Sequence, residues 1–253
     1  MTHSLALFAS NWQDGRTNKR LMEGRMSKTD PKSTSQLTVL SIDTCEGNCS
    51  AALVSAGQVR AARVEAIGRG HAERLLPMLD ELMVEAGLEY ADLDRIGVTI
   101  GPGTFTGLRI GLSVARGLGL SLGIPVVGVT SLFALAAGVR DHRGTVHAVV
   151  MGRGGQAYHQ AFAVDPAGHP VAISEGACLD AADIKAMVAG TPGRIIGSGA
   201  PLLDETHSGD PVAPEAVAFL AATLDPASFA PEPAYLRAAD AVRAKALLPV
   251  EQG

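Results

Sequence analysis

The stretch GPGTFTGLRIGLSVARGL, Gly101 to Leu118, holds the densest candidate chemistry in the chain. It follows the apolar run IGVTI and opens a long amphipathic segment. Strand, glycine loop and helix make the layout of a phosphate cradle, because backbone N–H groups at a helix N-terminus attract anions. Gly101, Gly103, Thr104 and Gly107 are the candidate loop residues, and Thr104 or Thr106 can cap the helix. A Walker A loop also needs a lysine after its last glycine, and Leu108 and Arg109 follow Gly107 instead. The dinucleotide fingerprint fails too, since the third glycine arrives one residue late. What remains is a capped, tightly turned helix start.

Other reactive residues build no complete site. Cys45 and Cys49 have C-x-x-x-C spacing without two further ligands. Ser198, in IIGSGAP, lacks the G-x-S-x-G frame of a nucleophile elbow and reads as a strand-end loop. The helix after the glycine loop has a second feature. Gly107, Gly111, Ala115 and Gly119 recur every four residues, and Gly123 continues the row. Rows of that spacing are helix ridges. This ridge is nearly bare, so another backbone can come close. Glycine inside a helix costs about 1 kcal/mol relative to alanine, so the row needs a packing reason. Either a neighbouring helix of the same lobe or another subunit supplies it. Leu108, Leu112 and Leu118 face the sheet in both cases.

The elements that position these residues follow from periodicity. TVLSID (38–43), CSAALV and VRAARVEA, joined by the turns TCEGN and SAGQ, predict a three-strand meander. His71–Ala86 predicts a helix, with Leu75, Leu79, Leu82 and Ala86 on one stripe and Leu76 and Met83 widening it. Pro77 sets its start or kinks it. DRIGVTI and IPVVGVT are strands on either side of the glycine-loop helix, and SLFALAAGV is a further helix. A second round begins near Thr145: TVHAVVM, AYHQAFAVD and PVAISEG as strands, LDAADIKAMVA as a helix capped by Asp180, RIIGSG as a strand and APEAVAFLAATL as a helix. An antiparallel opening followed by crossovers to parallel strands, repeated twice, is an α/β plan of two lobes. It matches the actin and sugar-kinase superfamily.

The chain has 253 residues, 47% hydrophobic and 19% charged, enough for a sizeable core. A net charge of −5 argues against a broad nucleic-acid face made by this chain alone. The apolar runs are too short to span a membrane, and MTHSLALFAS lacks the basic start of a signal peptide. Three cysteines, an odd number, suit a reducing cytoplasm. Residues 1–36 are polar and aperiodic, and Met26 is a candidate start. The expected organisation is a tail over 1–36, a first lobe over 37–140, a smaller second lobe over 141–237 and a tail over 238–253.

The segments SIDTCEGNCSAALVSAGQ, HAERLLPMLDELMVEAGL, IGVTIGPGTFTGLRIGLSVARGLGLSLGIPVVGVTSLFALA and EPAYLR resemble the TsaB (YeaZ) family. The resemblance runs in order from Thr38 to Arg237 and is strongest between Asp43 and Ser131. It implies the actin-like (ASKHA, ribonuclease H-like) two-lobed fold with a reduced second lobe. It also implies a non-catalytic cytoplasmic subunit, with no cofactor and no metal of its own. Such a subunit pairs with the paralogue TsaD and with the ATPase TsaE, which would hold the ATP or adenylate. Together they attach the threonylcarbamoyl group to N6 of the tRNA adenosine 3′ of the anticodon. A homodimer is the alternative arrangement for the free chain.

Residue by residue, the resemblance places Asp43 where actin-like proteins hold metal-bound phosphate, beside a degenerate Gly101, Gly103, Thr104 and Gly107 loop. The wide apolar stripe of the first helix and the bare ridge of the second set the expected partner interface at His71, Leu75, Leu79, Leu82, Gly107, Gly111, Ala115 and Gly119. The catalytic paralogue carries H-x-x-x-H on a helix. Here Leu75 stands four residues after His71, so a metallopeptidase is the least favoured reading, behind an actin-like ATPase or kinase. The sequence departs from the family pattern D-A-R-[RK]-G-E-V-Y: Met151, Gly154 and Gln156 replace its acidic, basic and Glu positions, while Arg153 and Tyr158 remain.

Overall fold

The computed structural model describes residues 33–236, apart from 140 and 208. Most of the expected N-terminal tail, with Met26, and the expected tail over 238–253 lie outside the described residues, as does Arg237. Thr34–Gln36 forms one 3-10 turn.

The first sheet has the order β3-β2-β1-β4-β5. Its antiparallel meander is β1 (Thr38–Asp43), β2 (Asn48–Ser55) and β3 (Gln58–Ala66), as the turns predict. β4 (Arg95–Thr99) runs parallel to β1, and β5 (Val126–Val129) parallel to β4. Between them come α1 (His71–Ala86) and α2 (Phe105–Leu122). Both pack on one face of the sheet. Leu40 and Ile42 of β1 point to that face, and Val39 points to the other, as the period of two requires. α1 continues through Pro77 and ends at Gly87 in the left-handed region (φ 65°), whose N–H bonds back into the last turn.

The second sheet has the order β10-β6-β7-β8, with β9 also paired to β7. Its strands are β6 (Gly144–Met151), β7 (Gln156–Val164), β8 (Pro170–Ala172), β9 (Ala177–Asp180) and β10 (Arg194–Ile196). α4 (Ala181–Gly190) links β9 to β10, which lies parallel to β6.

The remaining helices exchange places. α3 (Ser131–Gly138) follows the first sheet in sequence but packs on β6, β7 and β8. α5 (Pro214–Thr223) follows the second sheet but packs on β1, β2 and β4. The reason lies in the first sheet, whose parallel strands are buried on both faces and need a cover on each. Ser41 donates to the Pro214 carbonyl (2.6 Å), and the Arg95 guanidinium donates to the carbonyls of Ala221 (2.7 Å), Ala222 and Leu224, capping the helix C-terminus. Gly97 lies directly under Ala221. One apolar core therefore runs from Val39, Val54, Val127 and Val129 through α3 and α5 to Val146, Val150 and Phe162. The segment after α5 returns along the β5 edge. There Gly128 N–H donates to Phe229 O, and Ala234 N–H donates to Ile100 O beside the glycine loop, both at 2.8 Å.

Candidate functional site

Thr104 caps α2, accepting from Gly107 N–H at 3.3 Å. The loop before it is pressed onto the β1–β2 turn. Thr104 N–H donates to Cys45 O at 2.5 Å, and Thr44 Oγ1 donates to Gly107 O at 2.7 Å. A Cβ on Gly103 would stand 2.1 Å from Cys45 O, and one on Gly107 would stand 2.0 Å from Thr44 O. Gly101 holds a left-handed φ of 95°, its peptide bond to Pro102 is cis, and its carbonyl accepts from Ser131 N–H at 2.8 Å. The glycines of the expected phosphate loop thus admit the chain's own backbone.

Asp43 ends β1 under this loop and is 3% exposed. Its Oδ1 accepts from Thr99 Oγ1 (2.6 Å) and from Cys45 N–H (3.1 Å). Burial raises its carboxyl above the usual range, and these bonds offset only part of that. Burial and the Asp43 charge push the Cys45 thiol to about 12, and Cys49 rises to about 11 chiefly by burial. Neither thiol is a nucleophile at neutral pH. Among the described residues no group of three or more His, Cys, Asp and Glu side chains is placed to hold a metal ion. His71 is buried, its Nε2 3.1 Å from Asn48 O.

Sequence reasoning missed Glu46. Its side chain crosses from the β1–β2 turn to the loop after β10, where the Ser198 hydroxyl donates to Glu46 Oε1. Ser198 Oγ in turn accepts from Met151 N–H at 2.9 Å. Burial, and secondarily the Asp43 charge, push the Glu46 carboxyl to about 7. The available signal was the GSG of IIGSGAP. Gly197 has φ 107°, and a Cβ on it would stand 2.3 Å from Val149 O, so only glycine lets this loop lie on β6. The Met151–Gln156 turn, which departs from the family pattern, closes as a tight hairpin with Gly154 and Gly155 both left-handed.

The interface expectation needs a correction. Leu75, Leu79 and Leu82 are fully buried in the core of their own lobe, and His71 is 7% exposed. The bare ridge faces its own sheet: a Cβ on Gly111 would meet Thr44 Oγ1 at 2.6 Å, one on Gly119 would meet Val126 Cγ2 at 2.3 Å, and Ala115 is fully buried. The small residues let α2 sit close on β1, β4 and the β1–β2 turn. The packing is within the lobe, but against the sheet and the β1–β2 turn rather than against the neighbouring helix that the sequence suggested.

A model of the family TsaD: tRNA N6-adenosine threonylcarbamoyltransferase matches residues 64–194, about half of the chain. The TsaB protein of Escherichia coli K12, a tRNA threonylcarbamoyladenosine biosynthesis protein, is 35% identical over 134 residues, 52% of this chain and 58% of its own. Its Bacillus subtilis counterpart is 35% identical over 122 residues, 48% of this chain and 53% of its own. The chain thus spans about half the length of the curated relatives it matches. The solved structure of YeaZ from Pseudomonas aeruginosa aligns over 79% of this chain and all of its own, with 28% identity and a TM-score of 0.65. Among the described residues no helix is long and apolar enough to cross a membrane. The meander-and-crossover first sheet, the smaller second sheet and these relatives agree: the chain has the actin-like two-lobed α/β fold and belongs to the TsaD-type family, in its TsaB (YeaZ) branch.

Proposed function

We propose that this chain is a non-catalytic, cytoplasmic subunit of an assembly that forms threonylcarbamoyladenosine in tRNA. A TsaD-type paralogue carries the transfer chemistry in this reading, a TsaE-type ATPase joins the pair, and tRNA is bound by the complex. The observation that carries the reading is the filled glycine loop. With Thr44 O and Cys45 O against Gly107 and Gly103, and Thr104 N–H already donating to Cys45 O, the helix N-terminus has a carbonyl where an anion would bind. Pairing then falls to the outer faces of α1 and α2. These expose Leu76, Val84, Phe105 and Leu120, the last at 87%.

The test uses Asp43→Asn, which keeps shape and hydrogen bonding. The purified chain should show no nucleotide turnover. In its host, depletion of the chain should remove threonylcarbamoyladenosine from tRNA, and both the natural chain and Asp43→Asn should restore it. Loss of restoration by a folded, partner-binding Asp43→Asn, or turnover that this variant abolishes, supports the ATPase or kinase reading instead. Leu120→Glu should weaken capture of the paralogue with an unchanged melt.

A further inference from the structure

Glu46 joins two loops that sheet hydrogen bonding leaves independent. One is the turn between β1 and β2; the other is Gly197–Gly199, which lies on the end of β6. At the base of the lobes the shared core under α3 and α5 fixes their spacing. At the mouth, Ser198 is the junction: it donates to Glu46 and accepts from Met151 N–H. Beneath lie Asp43, 3% exposed, and Cys45, 1% exposed. We propose that Glu46 is a proton-controlled latch, whose carboxyl holds the β1–β2 turn to Ser198 over Asp43 and whose ionisation lets the two loops part. This inference does not depend on the tRNA reading above.

The chemistry sets the direction. From the first lobe Glu46 faces the Asp43 carboxyl, and from the second it faces the Ser198 hydroxyl. Arg153, two residues beyond Met151, is exposed. A protonated Glu46 donates to Ser198 Oγ, whose two lone pairs accept from both Glu46 and Met151 N–H. An ionised Glu46 keeps a bond from the Ser198 hydroxyl, which favours that form, but it is half-buried beside another acid, and burial outweighs the bond. Burial is the largest cause of its elevated proton affinity, and parting the loops relieves it. The closed form therefore binds the proton more tightly than the open form. Rising pH must favour the open form, by at most a factor of about ten per unit for one proton.

The Cys45 amide, bonded to Asp43 Oδ1 beneath the latch, reports the junction. Its exchange protection, corrected for intrinsic rate, should be flat below the ordinary carboxyl value of 4.5, fall up to about tenfold per unit from there to about pH 7 and level off above it, while the Leu40 amide in β1 stays protected. Glu46→Gln, neutral at every pH, should hold protection flat across that same window, from about pH 4 to 8. Ser198→Ala should lower Cys45 protection at all pH values, since it removes the partner that holds Glu46. A flat profile in the natural chain overturns the proposal, as does the same slope in Glu46→Gln. Unchanged protection in Ser198→Ala also overturns it.

Discussion

At Gly107 a Cβ would stand 2.0 Å from a backbone carbonyl, whereas at Gly117, on the same helix, nothing lies within 4 Å. Gly107→Ala should cost about 3 kcal/mol, the upper end of overpacking, and lower the melting temperature by roughly 6–12 °C. Gly117→Ala should gain about 1 kcal/mol of helix propensity and raise it by roughly 2–4 °C. Thermal melts of the two variants check both signs. A second residue-scale prediction concerns His147 and His159, stacked and buried between β6 and β7. Among the described residues the partner of His147 Nε2 is the Thr191 carbonyl (2.7 Å), so that nitrogen carries the proton, and its Nδ1 accepts from His159 Nε2 at 3.0 Å. His159 Nδ1 is buried with no partner among the described residues, and burial lowers its proton affinity to about 4 from an ordinary 6.5. Between those values the unfolded chain binds the extra proton and the folded chain does not. Stability should therefore fall as pH drops from about 6.5 to 4, by an amount of order 2 kcal/mol. The melting temperature of His159→Gln, measured over that range, should lack this slope.

Among the elements, α2 and the first meander were legible because their signals are local. Thr104 caps, the apolar stripe repeats, and turn residues separate β-branched runs. The ridge Gly107–Gly111–Ala115–Gly119 announced a close approach, yet spacing on a helix cannot say what approaches. The answer, Thr44 and Val126, is fixed by the sheet's three-dimensional order. Sequence placed α5 in the second lobe for a similar reason: chain order is local, and the demand of a doubly buried sheet for a second cover is not. Glu46 escaped notice because a lone acid in a turn reads as solvated, and its partner is 152 residues away. Arg95 at the start of β4 was equally unreadable as the cap of a helix far along the chain. Arg95→Met keeps the stem and removes the donors to the carbonyls of Ala221 and Ala222 in α5 and of Leu224 just after it. It should cost about 2 kcal/mol. Amide exchange should quicken in the last turn of α5 first, with β1 amides changing only as global stability falls.

The exchange of α3 and α5 has a consequence for the whole molecule. Val39, Val54, Val127 and Val129 are each 2% exposed or less, and they lie in the core that α5 completes. Uncovering four such side chains forfeits roughly 6–12 kcal/mol. A whole domain has a net stability of only about 5–15 kcal/mol. A piece ending at residue 139 keeps every strand of the first sheet and both helices of one face, but it loses the cover of the other. That piece should not fold alone: it should show no cooperative melt and should aggregate. The chain over 33–236 should unfold in a single transition, seen alike by calorimetry and by the signals of both sheets. Supplying a peptide spanning 209–236 to the piece should restore a melt whose midpoint rises with peptide concentration, as mass action requires. An independent cooperative melt of residues 33–139 would show that the first sheet tolerates an open face, and that α5 is an addition to a finished lobe rather than part of it.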